Sequence, residues 1–507
     1  MDMELTKKDI CFYDTVLDTS AMHEETAELI VPDASPDMVR VICANGNAYV
    51  KEKNLSDNKL TIKGIVCGCV LYLAEGDPAV RRLEVNIPFS HEFDLPDAPD
   101  KTQCVVTAQL CGMEAREIHS RKLAVRAQIA IEAKCYAPKQ MEFCCDVPDD
   151  PSCGIEIRRV PVSIYAPVAV KEKSFTITDD LEIPQSNPPF ASMLRYDISL
   201  SCTDMKIIGN KAIIKGTASI RYAYVTQTNE IAVCEQELPY SQIIDIEDMA
   251  EDCDLSVKLC MRTAELEPAH DMTGDTRYLS VNILVDACVV AYFKDEIEVI
   301  DDLYSTTHSV DAQFEELPCR ALSDHVSHRD AVTENIETAC PVKRVLGAHI
   351  VLEPARMRDA AVTNDAQVQV LYIGEDDALY CATRRCSAEC AVGQPEGARY
   401  LCDASVSGVT ASGSGNAVTV RFFVDYDVRV LARAAVRNVS ALHVEDAAPR
   451  SEDEIPSVII KYVYAEQPLW DIAKTYSTTV DEIVAANGLE SAETVAAGNM
   501  LLIPRKS

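Results

Sequence analysis

Two stretches of this chain, 211 − 59 = 152 residues apart, can be laid on one another almost position for position. Lys59–Leu73 and Lys211–Val225 each follow a turn pair, Asp57-Asn58 and Gly209-Asn210, and each carries Lys-Gly at the same place, Lys63-Gly64 and Lys215-Gly216. A weaker third copy runs from Ala361 to Ile373. In the second copy Ala212, Ile214, Ala218, Ile220, Tyr222 and Tyr224 share one parity, while Lys215, Thr217, Ser219 and Arg221 share the other. A period of two puts alternate side chains on opposite faces, so these runs predict half-buried strands.

Each copy closes on a further alternating run. The first has Leu123, Val125, Ala127, Ile129 and Ile131, the second Leu279, Val281, Ile283, Val285 and Ala287, and the third Val418, Val420, Phe422, Val424 and Tyr426. Between opening and closing runs lie Leu83–Leu95 and Ile231–Ile246, in which Pro88-Phe89 falls on Pro239-Tyr240. Strands of this kind with turn residues between them predict a mainly β chain of three tandem sandwich-like repeats. The expected division is residues 1–155, 156–308 and a divergent 309–445. A polar, acidic, Pro-containing linker follows at 446–456, and a small α+β (βααβ) module at 457–507. The acidic, Pro-bearing stretches 94–101, 146–151 and 182–189 are expected loops, and Ser412–Asn416 is an expected hairpin tip.

Charge narrows the partners. Lys+Arg is 47 against 81 Asp+Glu, a formal net charge of −34. Such a chain repels nucleic acid and anionic membrane surfaces. No apolar run reaches the length of a membrane-spanning helix, so no transmembrane segment is expected. The opening Met1–Asp9 has no apolar stretch behind its lysines, so a secretory leader is not expected either. The 21 cysteines, an odd number without an export signal, are read as reduced thiols in a cytoplasmic setting. Several, such as Cys67, Cys69, Cys135 and Cys288, sit inside strand-like runs, where a thiol behaves as a small apolar group.

Chemistry is hard to find. The chain has no GxSxG, GxxxxGK[ST], HExxH or GxGxxG pattern. Cys381, Cys386 and Cys390 form the most metal-like cluster, set against plain buried or surface thiols. His325 and His328 would suit a metal if helical, or else lie in a solvated loop. The Asp-Asp pairs at 149–150, 179–180, 301–302 and 376–377 read as solvated faces in so acidic a chain. No metal, cofactor or catalytic residue is therefore expected.

The last fifty residues are the most specific. Val458, Ile460, Tyr462 and Tyr464 share one face of a strand, with Ile459 and Val463 on the other. Pro468 suits the first turn of a helix, and Leu469, Ile472, Ala473 and Tyr476 make its apolar stripe. Thr479 with Glu482 three residues on predicts a capping box, and Asn487-Gly488 a helix end. The stretches Leu469–Ala473, Tyr476, Thr479–Ile483, Ala486–Leu489, Gly498 and Leu501–Pro504 resemble the LysM domain. That resemblance implies binding of N-acetylglucosamine polymers such as peptidoglycan, in a groove between the loop after the first strand and the loop before the last. The groove candidates, for glycan or protein, are Tyr464, Glu466, Gln467, Pro468, Trp470, Asn487 and Gly488. Here Glu466-Gln467-Pro468 replaces the usual Gly-Asp-Thr. Trp470, the single Trp, is a stacking platform or a packing residue.

Tandem β repeats of this size, the Ile87-Pro88-Phe89 and Leu238-Pro239-Tyr240 elements and one C-terminal LysM together resemble the SPOCS-domain sporulation proteins of clostridia, of the SipL-like, spore-coat morphogenetic type. That resemblance implies a non-enzymatic scaffold on the mother-cell side of the forespore. It also implies that the LysM region docks a coat ATPase of the stage IV sporulation protein A type. Peptidoglycan binding in a cell-wall protein is the alternative. The repeats also offer exposed strand edges for self-association.

Overall fold

The computed structural model describes residues 2–96, 98–148, 152–246, 253–269, 277–445, 458–489 and 493–504. The expected linker at 446–456 lies outside them. The chain is mainly β, with one plan of two facing antiparallel sheets built three times; five of these sheets are three-stranded and one is four-stranded. The first set is β1 (Thr6–Ile30), β2 (Met38–Ser56), β3 (Lys59–Ala74), β4 (Asp77–Asp94), β5 (Gln103–His119) and β6 (Lys122–Asp146). Sheet β1-β6-β5 faces sheet β2-β3-β4. The second set is β7 (Ile155–Glu182), β8 (Phe190–Ile208), β9 (Lys211–Thr226), β10 (Ile231–Asp245), β11 (Asp254–Ala269) and β12 (Tyr278–Ser305). It pairs as β7-β12-β11 and β8-β9-β10. The third runs β13 (Val310–Glu337), β14 (Val342–Leu352), β15 (Arg356–Arg358), β16 (Ala361–Gly374), β17 (Leu379–Ala391), β18 (Arg399–Ser414) and β19 (Ala417–Val444). There β13-β19-β18 faces β14-β16-β17, with short β15 also on β16.

The matched dipeptides of the sequence are contacts in the fold. Gly64 lies directly opposite Phe89, and Gly216 directly opposite Tyr240. A Cβ on Gly64 would stand 2.2 Å from the Phe89 ring, and one on Gly216 would stand 2.3 Å from the Tyr240 hydroxyl. Each aromatic ring therefore lies over the bare backbone of its glycine and fills the space a side chain would take. The third set has Ala366 opposite Cys386 at this place. The Asp57-Asn58 turn has φ of 52° and 60°, and the matching Asp359-Ala360 turn has 43° and 63°. Left-handed values at both central residues fit the right-handed twist of the strands they join.

Irregularities repeat as faithfully as strands. β2 slips register after Met38, Val41 and Val50. β8 slips after Phe190, Met193 and Cys202, and β14 after Val342 and Val345. These sites match at one constant spacing. The long strands carry a bulge too: Val16 is skipped in β1, Val168 in β7 and Ser323 in β13.

Beyond those bulges the long strands leave their sandwiches as three two-stranded ribbons. The ribbons pack on one another, with Met3, Cys144, Ile300, Leu303, Val439 and Leu442 in one shared cluster and Ile10, Phe143, Ile164, Val299 and Val436 in the next. At the other end β3, β9 and β16 meet through Cys69, Leu71, Ala223, Val225, Leu371 and Ile373. The three sandwiches thus close around a pseudo-threefold axis. That closure corrects the expectation of strands buried on one face only. β9 and β16 each end in an unbroken run of buried residues, because the second face of each strand end is covered by the neighbouring sandwiches.

The axis has a polar centre. Asn45, Asp197 and His349 occupy equivalent places in the three sets. The Asn45 amide donates to Asp197 Oδ1 at 2.6 Å. Arg195 donates to Asp197 Oδ2 at 2.8 Å, and His349 Nδ1 stands 3.8 Å from Oδ1. Gln369 accepts from Arg195 at 2.7 Å and donates to Ala44 O at 3.3 Å, while Arg221 donates to Ala348 O at 2.6 Å. Burial pushes the Asp197 carboxyl up, but Arg195 and His349 hold it below the usual carboxylate range. Each buried charge is paired, which is the condition for keeping it.

Three sequence expectations change here. His325 and His328 lie on strand β13, neither on a helix nor in a loop; three apart, they face opposite sides, and His325 Nε2 meets Asp427 at 2.5 Å. Cys381 likewise points away from Cys386 and Cys390 on β17. No group of three or more His, Cys, Asp or Glu able to hold a metal occurs among the described residues. Asp302 is 5% exposed, so the 301–302 pair is not a solvated face. No helix among the described residues is long and apolar enough to cross a membrane.

Candidate binding surface

The C-terminal module is built from β20 (Val458–Tyr462), β21 (Gln467–Pro468), α1 (Leu469–Tyr476), α2 (Val480–Asn487), β22 (Thr494–Val495) and β23 (Met500–Pro504). Pro468 is the residue that caps α1 rather than its first helical residue. Its φ of −60° and ψ of 137° are extended, and it pairs with Thr494. Thr479 and Glu482 form the capping box of α2. Gly488 ends α2 at φ 63°, the left-handed value glycine takes at no steric cost. Val463, Leu469, Ile472, Ala473, Ile483, Leu501 and Ile503 make the core.

That core has a neighbour. Tyr304, at the end of β12, joins the same cluster and donates its hydroxyl to Thr478 O at 2.8 Å. Its ring stands edge-on to Trp470, 4.9 Å between centroids. Trp470 Nε1 donates to Asp302 Oδ2 at 2.8 Å and Lys474 Nζ to Oδ1 at 2.7 Å. Arg158 covers the indole from 5.6 Å and is itself held by two hydrogen bonds to Asp301. Register slips between Ile300 and Asp302. Such an extra residue re-aims a side chain, and here it leaves Asp301 to Arg158 and Asp302 to the module. Burial pushes the Asp302 carboxyl up, but the hydrogen bonds from Lys474 and Trp470 hold it below the usual range. The single Trp is a packing residue, between module and ring of sandwiches. Asp302, Tyr304 and Arg158 carried no signal in the sequence as partners of Trp470.

The other candidates divide. Asn487 is spent on structure: its amide donates to Ile483 O at 2.8 Å and Leu502 O at 2.6 Å, and its Oδ1 accepts from Leu502 N at 2.7 Å. Gln467 and Pro468 lie against Val495 and Thr494, where the two expected groove loops meet. Tyr464, Glu466, Pro468 and Gly488 are not buried, and Tyr464 is 86% exposed. Trp470 and Asn487, with their polar atoms committed, do not join them in one open groove.

A different surface stands out. Val458 pairs with Pro504, Ile460 with Leu502 and Tyr462 with Met500, all on the side of the small sheet away from the core. Ile460 is 68% exposed, Met500 71% and Tyr462 47%. Tyr464 continues the row, its ring 4.9 Å from that of Tyr462. Six large apolar side chains thus crowd one face of a very small module. Contiguous exposed apolar area of this kind marks a contact site.

Comparison with known proteins agrees with this architecture. A family model described as SipL, SPOCS domain matches residues 37–118 and 191–265, which are β2 to β5 and β8 to β11. A LysM domain model matches residues 468–504. Two regions of the chain are thus similar to the SPOCS domain of SipL and a C-terminal region to the LysM domain, while neither model matches the third set of strands. No curated protein and no solved structure matches it.

Proposed function

We propose that this chain is a non-enzymatic spore-coat or envelope morphogenetic scaffold, and that its LysM domain docks a protein partner. The observation that carries the reading is the uncovered apolar face of β20 and β23. Sugar recognition asks for hydrogen-bonding groups around a ring platform. Here the only Trp is turned inward onto Asp302, and the outward row is Val458, Ile460, Tyr462, Tyr464, Met500 and Leu502. Such a row suits an apolar protein surface better than a glycan. The partner proposed is a coat ATPase of the stage IV sporulation protein A type, on the mother-cell side of the forespore. Tyr464, Glu466, Gln467 and Pro468 border the contact, and the Trp470 side chain sets how the module is presented. The proposed domain division is 1–155, 156–308, 309–445 and 457–507, joined to the last by 446–456. In this division the SPOCS ring is the rigid platform and the LysM domain its docking head.

The test uses the full chain. Ile460→Glu is expected to weaken capture of the ATPase at least tenfold while the circular dichroism spectrum and thermal melting stay as in the parent. Retention on insoluble peptidoglycan with no capture of the ATPase overturns the reading in favour of a wall-binding LysM protein.

A further inference from the structure

Where the three ribbons diverge from the axis they enclose a cavity of about 360 Å³, to which all three sandwiches contribute walls. Its floor is aromatic: Tyr165 and Tyr292 stack with centroids 5.2 Å apart, beside Phe12 and Tyr13. Its third wall is unusual for so acidic a chain. Arg320 on β13 lies directly opposite Arg433 on β19, and Arg399 on β18 is opposite Leu431, two residues from Arg433 on the same face. Like charges placed directly across a ladder are destabilising unless something neutralises them.

The acids on the neighbouring elements do so only in part. The acids lining the cavity are Asp14 and Asp18, and both have other partners: Asp14 meets Lys139 at 3.1 Å and Asp18 meets Lys134 at 3.3 Å. Arg320 donates to Gly397 O at 3.0 Å and Arg399 to Thr15 O at 3.2 Å, which are neutral carbonyls. Arg433 has no hydrogen-bond or ion-pair partner among the described residues. Burial first and then the charge of Arg399 pull the Arg320 guanidinium below its ordinary value; Asp14 pulls the other way, and Arg433 adds a smaller push down. Three guanidiniums, those of half-buried Arg320 and Arg399 and of exposed Arg433, therefore line one cavity with no carboxylate in ion-pair contact among the described residues, in a protein of net charge −34.

We propose that this cavity is a binding site for a small multivalent oxyanion, a phosphate- or carboxylate-bearing metabolite, held by Arg320, Arg399 and Arg433 and backed by the tyrosine floor. Planar guanidiniums bind such groups in a bidentate manner. A cavity of this volume holds a small ligand with an anionic head and a short apolar or ring-shaped body. Because its walls come from all three sandwiches, the ligand would tie the ring together.

The experiment is a thermal-shift and calorimetric titration of the full chain with pyrophosphate and with citrate, at ionic strength held constant with sodium chloride. A saturable rise in melting temperature is expected with at least one of them, as mass action requires of a ligand that binds only the folded state. A response to pyrophosphate alone assigns a phosphoryl ligand, and one to citrate alone a carboxylate. Arg433→Gln is expected to weaken binding at least tenfold. It removes no hydrogen bond or ion pair of the described residues, so its own melting temperature should not fall. Arg399→Gln serves as the second variant. Absence of a saturable response to both anions, or an undiminished response in both variants, overturns the proposal.

Discussion

The ring of sandwiches and the LysM domain solve the problem of size in opposite ways. Each sandwich has its own large core, and the three then bury further surface in shared clusters along the axis. The LysM domain has a core of a few side chains, too few for a small domain to be more than marginal alone, and it takes Tyr304 from the ring. The ring spends buried charge on its own centre. The module uses one buried carboxylate, Asp302, to hold on to the ring. Integration is thus internal in one region and borrowed in the other.

The sharpest way to break the ring is at its polar centre. Asp197→Ala removes the acceptor of Asn45 and Arg195 and leaves a guanidinium, 5% exposed, without its counter-charge. Removing one partner of a buried pair costs about 3–5 kcal/mol. The expected outcome is a large fall in the melting temperature of the SPOCS region, with limited proteolysis releasing separate sandwiches. If the variant melts like the parent, the axis is not what holds the three together.

The module breaks separately. Leu469→Ala empties a fully buried position of its core, at about 2–5 kcal/mol. Calorimetry should lose the LysM transition and keep that of the ring. A single shifted transition would mean that the two regions unfold as one.

How much of this was legible in the sequence follows the same division. The sandwiches announced themselves through period-two runs, and the matched Lys-Gly and Pro-Phe or Pro-Tyr marked the duplication; that they face one another, Gly64 under Phe89, shows only in the fold. The LysM core was legible residue by residue, since caps and helical stripes are local. The closure of the ring was not. Its equivalent positions hold Asn45, Asp197 and His349, three different side chains that interact because they differ, so self-similarity is erased where the repeats touch. Bulges are backbone events with no residue signature, which hid both the ribbons and the aim of Asp302. Trp470 was visible as a packing candidate, but its partner lies on a strand far away in the chain.

Asp302 tests the borrowed contact without touching the module's interior. Asp302→Asn keeps the shape but loses the charge-assisted bond from Lys474 and weakens that from Trp470. About 1–3 kcal/mol is at stake. Trp470 is the single tryptophan, so its fluorescence reports this site alone. Emission should move to longer wavelength as the indole meets water, with the LysM transition still present. The parent should do the same in acid. The Asp302 carboxyl lies below its ordinary value when folded, so its contribution is present above that value and fades as pH falls through the lower, docked one. An emission maximum that follows acid in Asp302→Asn as it does in the parent would assign the shift to another group.

The smallest expected effect lies at the axis, in a milder range of pH. Burial pulls the His349 imidazole below its ordinary value, and Arg195 and Arg221 add to this against the attraction of Asp197. The folded ring therefore prefers the neutral ring, and the unfolded chain takes up the proton first. Stability should be full above about pH 6.5, the ordinary histidine value, and decline as pH falls below it. The imidazole is about one-third exposed, so solvent screens part of the effect and the slope should be shallow. His349→Gln keeps a neutral polar side chain beside Asp197 and should flatten the melting temperature between pH 7 and pH 5. The Asp197→Ala defect, by contrast, should persist across that range, because Arg195 stays charged throughout. If His349→Gln keeps the parent's slope, the axial centre does not sense protons, and its role is confined to pairing the charge on Arg195.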